Sequence, residues 1–170
     1  LNNGYGEHNI QGIGDKHVPL IHNVMNSDFV VGITDRATNN LNMMFNTEIG
    51  QEYLTRKKGF DNNFVKRLPE FGFSAIANIL ASIKLAKYMK LGKEDAIVTV
   101  ATDGADLYLS ELNKTKEEFK NIYDETTCGE IFGEFLKGAN TDNTLELNQR
   151  DKERIFNLGY YTWVEQQGIN

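Results

Sequence analysis

Apolar residues recur at three- and four-residue spacing through Ile76, Ile79, Leu80, Ile83 and Ala86, the period of one helix face. Ser74 stands just before them and is a helix-starting residue type, so the spacing predicts a helix from 74 to about 90. The period then changes. Ala96-Ile97-Val98-Thr99-Val100-Ala101-Thr102 is a continuous run rich in β-branched residues, as in a strand buried on both faces. Asp103-Gly104-Ala105 turns out of it, and a further helix is expected over 107–123 with Lys114, Lys116, Glu117, Glu118 and Lys120 in solvent. This succession of helix, strand, turn and helix predicts an α/β fold, a three-layer open, mostly parallel sheet with helices on both faces.

The flanking segments are read the same way. Gly4, Gly6, Gly12, Gly14 and Pro19 break any period, so residues 1–27 are expected as loop and connection. Residues 28–34 read as a strand, with Thr34 or Asp35 opening a helix that buries Leu41, Met44 and Phe45. Helices follow over 47–56 and 61–68, the second halted by Pro69. Thr126-Thr127-Cys128-Gly129 reads as a turn before a short helix at 130–137, residues 138–144 as a polar loop, and 151–158 as a helix. The aromatic cluster Tyr160-Tyr161-Thr162-Trp163-Val164 is expected to dock on a core or a subunit interface. Residues 1–125 are taken as the main unit and 126–170 as a helical extension packed on it.

Composition narrows the function. A chain of 170 residues with 40% hydrophobic content can form one domain with a sizeable core. A net charge of −6 gives no general attraction to nucleic acid, which needs clustered cations. The single cysteine, Cys128, forms no internal disulfide, and no apolar run approaches the ~20 residues of a membrane span. A cytoplasmic protein without membrane or nucleic-acid partners is expected.

In an open α/β sheet, ligands collect beyond the carboxyl ends of strands, where helix N-termini present unpaired N–H groups. Gly72-Phe73-Ser74 and Thr102-Asp103-Gly104 place small polar residues at such positions. Gly12-Ile13-Gly14 is a third candidate, because a residue without Cβ lets the backbone approach a ligand closely. It lacks the third glycine of a dinucleotide fingerprint. From the residues alone, Ser74 is a helix cap and the other two are turns. A non-catalytic Rossmann-like module holding a nucleotide or anion stays open, as does an interaction domain using the cluster around Trp163. His8, His17 and His22 fall in no His-Glu-x-x-His arrangement and pair with no cysteine, so no metal site is expected.

Three stretches in order, His8-Asn9-Ile10-Gln11-Gly12-Ile13-Gly14, Gly72-Phe73-Ser74-Ala75 and Thr102-Asp103-Gly104-Ala105-Asp106-Leu107-Tyr108, resemble the last part of the fold-type II pyridoxal-phosphate enzymes, the group of cysteine synthase, cystathionine β-synthase and threonine synthase. The resemblance spans about 100 of the 170 residues. It implies pyridoxal 5'-phosphate as cofactor, a small-molecule amino-acid substrate, replacement or elimination chemistry and a homodimer. It also implies that Ser74 hydrogen-bonds the pyridine nitrogen of the cofactor, with Gly12, Ile13, Gly14, Asp103 and Gly104 lining the pocket. A neutral hydroxyl in that role leaves the ring nitrogen largely unprotonated, whereas direct contact with Asp103 would reverse those electronics. Ala75 and Ile76 stand where the family often has a second serine and a glycine, and Asp103-Gly104 departs from the Ser-Gly or Asp-Ser of relatives. Gln11-Gly12-Ile13-Gly14-Asp15-Lys16-His17-Val18-Pro19-Leu20 and Tyr160-Tyr161-Thr162-Trp163-Val164-Glu165-Gln166-Gln167-Gly168 are similar to a thiolase branch, which implies coenzyme A as co-substrate and a small partner subunit. The cofactor-anchoring lysine, in a Ser-x-Lys setting, and the phosphate-binding glycine loop are expected upstream, so this chain is read as a fragment with no catalytic residue of its own.

Overall fold

The structure is a computed structural model that describes residues 6, 8–10, 17–120 and 122–169. Its elements are β1 (Phe29–Val31), α1 (Asp35–Phe45), α2 (Glu48–Glu52), α3 (Asn62–Arg67), α4 (Phe73–Met89), α5 (Leu109–Glu118), α6 (Glu125–Ile131), β2 (Thr144–Glu146) and α7 (Gln149–Tyr160). Wider π-helical turns prolong α2 through Tyr53–Lys57, α6 through Phe132–Lys137 and α7 through Tyr161–Gln166. The chain is α/β and mostly helical, and its described strands form one small antiparallel pair, with Val30 opposite Leu145.

The helix starts follow from side-chain oxygens that accept orphan amide protons. Thr34 Oγ1 takes the Ala37 amide at 3.2 Å, Thr47 Oγ1 that of Gly50 at 3.2 Å, and Asp61 Oδ1 that of Phe64 at 3.0 Å. Asn148 and Asp151 form a reciprocal capping box at α7. Each cap stabilises its helix by about 1 kcal/mol. Burial then fixes how the helices pack. Leu41, Met44, Leu54, Val65, Ile76, Leu80, Cys128 and Ile131 form one core, so residues on both sides of position 125 share it. No described helix is long and apolar enough to cross a membrane.

Four sequence expectations change. The 96–102 run forms no helix and pairs with no described strand, and Val98 and Val100 are 94% and 64% exposed. Asn78 Nδ2, donating to the Val100 carbonyl at 2.9 Å, and Ser74, through Thr102, tie it to α4. Its residues have the character of a strand, but a ladder needs neighbouring backbone, and β1 and β2 already pair with each other. The predicted 107–123 helix opens as a 3-10 turn at Ala105–Tyr108 and stops after Glu118, where Lys120 adopts a left-handed backbone. Thr126-Thr127-Cys128-Gly129 is the start of α6 and no turn, because Asp124 Oδ1 accepts the Thr127 amide at 2.9 Å and begins the helix earlier. The polar loop at 138–144 ends in β2.

Leu41 is 1% exposed inside the core. Leu41→Ala should therefore lower the unfolding free energy by about 2–5 kcal/mol in urea denaturation, against about 1 kcal/mol for Thr34→Ala, which removes a cap alone.

Candidate functional site

The start of α4 is set by a glycine. Gly72 precedes the first turn with φ −77° and ψ −177°, its amide donates to the Asp103 carbonyl at 2.8 Å, and its carbonyl accepts from the Ile76 amide at 3.0 Å. A Cβ here would lie 2.5 Å from Asp103 Oδ1 and 2.9 Å from Tyr108 Cε2. The absence of a side chain is what lets the 103 turn close against the helix. Ser74 consequently falls inside the first turn and does not cap α4, which corrects the reading from spacing alone.

The Ser74 side chain has a tertiary partner. The residue is 3% exposed, and its Oγ lies 2.8 Å from Thr102 Oγ1. Thr102 Oγ1 in turn donates to Asp103 Oδ1 at 3.1 Å, and the Tyr108 hydroxyl donates to Asp103 Oδ2 at 2.6 Å. Tyr108 is 4% exposed and meets Phe73 edge to face with ring centres 5.0 Å apart. Burial, then the bond to Asp103 and its charge, push the Tyr108 phenol up to about 12. Ile10, Phe73, Ala77 and Tyr108 form a second small core beneath this network.

Of the residues singled out from sequence, Ser74 and Asp103 are joined through Thr102. Gly104 follows directly and lines a shallow cleft of about 610 Å³ with Lys66, Pro69, Glu70 and Asp106, a cleft whose lining includes neither Ser74 nor Asp103. Gly12, Ile13 and Gly14 lie outside the described residues. Gly72, Thr102 and Tyr108 also belong to the network; the first two stand in the candidate segments, but none of the three is assigned a role from sequence. Their signal in sequence is faint, since Thr102 and Ser74 are 28 positions apart and only the fold makes them neighbours.

One Ser-x-Lys spacing does occur within the chain, at Ser82-Ile83-Lys84. Lys84 sits ten residues beyond Ser74 on α4, a separation of about 15 Å along the axis. Its ammonium donates to the Asp142 carbonyl at 2.7 Å, and Lys87 likewise donates to the Ala139 carbonyl, so both lysines fasten the loop before β2. Cys128 is fully buried and burial pushes its thiol up, which disfavours the nucleophilic thiolate. Among the described residues no group of three or more His, Cys, Asp or Glu could hold a metal ion.

Two measurements bear on this geometry. Gly72→Ala should displace Asp103 and cost about 1–3 kcal/mol of stability in denaturant titration, as overpacking against backbone does. In ultraviolet titration, the tyrosine lost in Tyr108→Phe should ionise near 12, above the usual value of about 10. Because the folded state holds that proton more tightly, its stabilisation is complete below pH about 10 and is lost as pH rises towards 12. Asp103→Asn should bring the ionisation down without restoring the usual value, since burial persists.

No protein-family model, no curated protein and no solved structure matches this chain.

Proposed function

We propose that this chain is the cofactor-facing, C-terminal portion of a fold-type II pyridoxal-phosphate enzyme acting on amino acids. On the resemblance of residues 11–20 and 160–168, the reaction we assign is that of the β subunit of 2-amino-4-ketopentanoate thiolase: cleavage of 2-amino-4-ketopentanoate by coenzyme A to alanine and acetyl-CoA. The observation that carries the reading is the 2.8 Å approach of Ser74 Oγ to Thr102 Oγ1. It gathers the two loop tips that carry the resemblance, 72–74 and 102–103, into one hydrogen-bonded group.

The residues fit the cofactor by the chemistry they offer. A flat heteroaromatic ring needs a polar atom opposite its nitrogen and backbone that can lie close to it. Ser74 supplies a buried hydroxyl in the first turn of α4, and Gly72 beside it has no room for a side chain. When bound, pyridoxal phosphate supplies the electron sink for carbanion chemistry on the amino acid. The chain's own part is to orient the ring and to set the hydrogen bond at its nitrogen.

The exposed 96–101 run supports the finer architecture. A segment apolar on both faces that pairs with no described strand leaves Val98 and Val100 in water and its backbone without a ladder. Both costs vanish when such a segment becomes a central strand of a parallel sheet covered by helices. In this proposal it is one strand of the three-layer sheet, and polypeptide outside this chain supplies the others. α4 is suited to cover it, since Ile79, Ile83 and Leu85 are only half-buried. The working enzyme is a homodimer with a small partner subunit.

The gene product that includes this chain should show a visible absorption band discharged by hydroxylamine, and it should form acetyl-CoA from 2-amino-4-ketopentanoate. The 170-residue chain alone should do neither. In the longer protein Ser74→Ala should weaken cofactor retention by about 10- to 100-fold, the worth of one buried hydrogen bond to a charged or strongly polar ligand atom. A colourless longer protein, or a Ser74→Ala variant with unchanged spectrum and retention, would remove the assignment.

A further inference from the structure

A cleft of about 310 Å³ opens between the start of α1, the middle of α4, the π-helical turn after α6 and the loop before β2. That volume stands at the lower end of the roughly 300–1,000 Å³ of small-molecule sites, which admits a small metabolite. Ile33, Leu80 and Phe135 give the cleft an apolar wall. Its charged lining is Arg36 and Lys84 against Glu134 and Asp142, so the charges sum to zero. These groups are held in place but only partly used. Arg36 Nη2 donates to Glu134 Oε2 at 2.7 Å, and the guanidinium carbon lies 5.3 Å over the Phe135 ring, which leaves the rest of its N–H groups open. Lys84 is half-buried and donates to the Asp142 carbonyl at 2.7 Å, and among the described residues it enters no ion pair. Asp142 Oδ2 accepts from Asn140, whereas Asp142 Oδ1 and Glu134 Oε1 meet no side-chain donor among the described residues.

We infer that this cleft is a second small-molecule site, and that it takes a free α-amino acid with an apolar side chain, bound as the zwitterion. The ligand carboxylate receives the open protons of Lys84 and Arg36, its ammonium donates to the open oxygens of Glu134 and Asp142, and its side chain lies on Ile33, Leu80 and Phe135. A ligand of single charge fits worse for a definite reason. A plain carboxylate meets Glu134 and Asp142 as like charges, and a plain amine meets Arg36 and Lys84 as like charges. Only a small body that carries both signs leaves each of the four groups with an opposite partner. The site stands apart from the corner at Asp103, since Lys84 is about 15 Å along α4 from Ser74, and it does not rest on the cofactor reading. Its occupant joins α1 and α4 to the loop that leads into β2.

Calorimetric titration of the 170-residue chain at neutral pH tests the assignment without any cofactor. The probes are L-leucine, 4-methylpentanoate, which lacks its ammonium, and 3-methylbutylamine, which lacks its carboxylate. L-leucine should bind at least ~10-fold more tightly than either, as one charge-assisted hydrogen bond gained or lost provides. Equal binding of the acid overturns the part given to Glu134 and Asp142, equal binding of the amine overturns that of Arg36 and Lys84, and absence of L-leucine binding overturns the site. Lys84→Met should weaken L-leucine binding by about 10- to 100-fold. That variant also releases one fastening of the loop before β2. Lys87→Met releases the other, at the Ala139 carbonyl, from outside the lining of the cleft, and should bind L-leucine as the parent does. Unaltered binding in Lys84→Met, or an equal loss in the two variants, overturns the assignment, because the Lys84 charge would then not be what holds the ligand.

Discussion

The carboxylate and carbonyl of Asp103 hold together the part of the molecule on which the site depends. The carbonyl takes the Gly72 amide, one carboxylate oxygen takes Thr102 and the other takes Tyr108, so a single residue ties the start of α4, the end of the 96–102 run and the 3-10 turn that leads to α5. The arrangement works only because Gly72 has no Cβ, which would otherwise occupy the space of Asp103 Oδ1. Charge-assisted bonds to a part-buried acceptor outweigh neutral bonds at the surface.

That run shows the limit of what local pattern can specify. Residues 96–101 are β-branched and apolar enough to read as a strand from sequence, yet no ladder forms there among the described residues. Propensity makes a segment fit for a sheet, but the sheet itself is a set of bonds with a neighbour. The reverse holds for β2, whose three residues carry little pattern and form a strand because β1 pairs with them across more than a hundred positions.

The legible features were the local ones. Thr34, Thr47 and Asp61 act three residues ahead on their own helices, and α4 ends one residue before the position its spacing predicts. The start of α4 was misread because the Ser74 hydroxyl has a better partner in Thr102 than in its own backbone, a preference visible only in three dimensions. α6 was misread for a local reason: Asp124 is a strong cap two residues upstream of the Thr126–Gly129 stretch that looked like a turn. At the site, Ser74 and Asp103 came from resemblance to a family, whereas Thr102 and Tyr108, which determine what those two can do, came from packing.

Fold and site electronics meet at Thr102. Ser74 and Tyr108 are buried, but Thr102 between them is exposed, so water competes for the hydroxyl that joins Ser74 to Asp103. The same residue ends the unpaired run. Pairing that run into a sheet would cover Thr102 along with Val98 and Val100, and a hydrogen bond moved from water into a lower dielectric is electrostatically stronger. In the proposed assembly the contacts that complete the sheet are therefore also the contacts that dry the hydrogen bonds of Thr102. Site chemistry and subunit architecture become a single physical problem, since a strand left open leaves Thr102 to exchange partners with water while a strand closed over it commits Thr102 to Ser74 and Asp103.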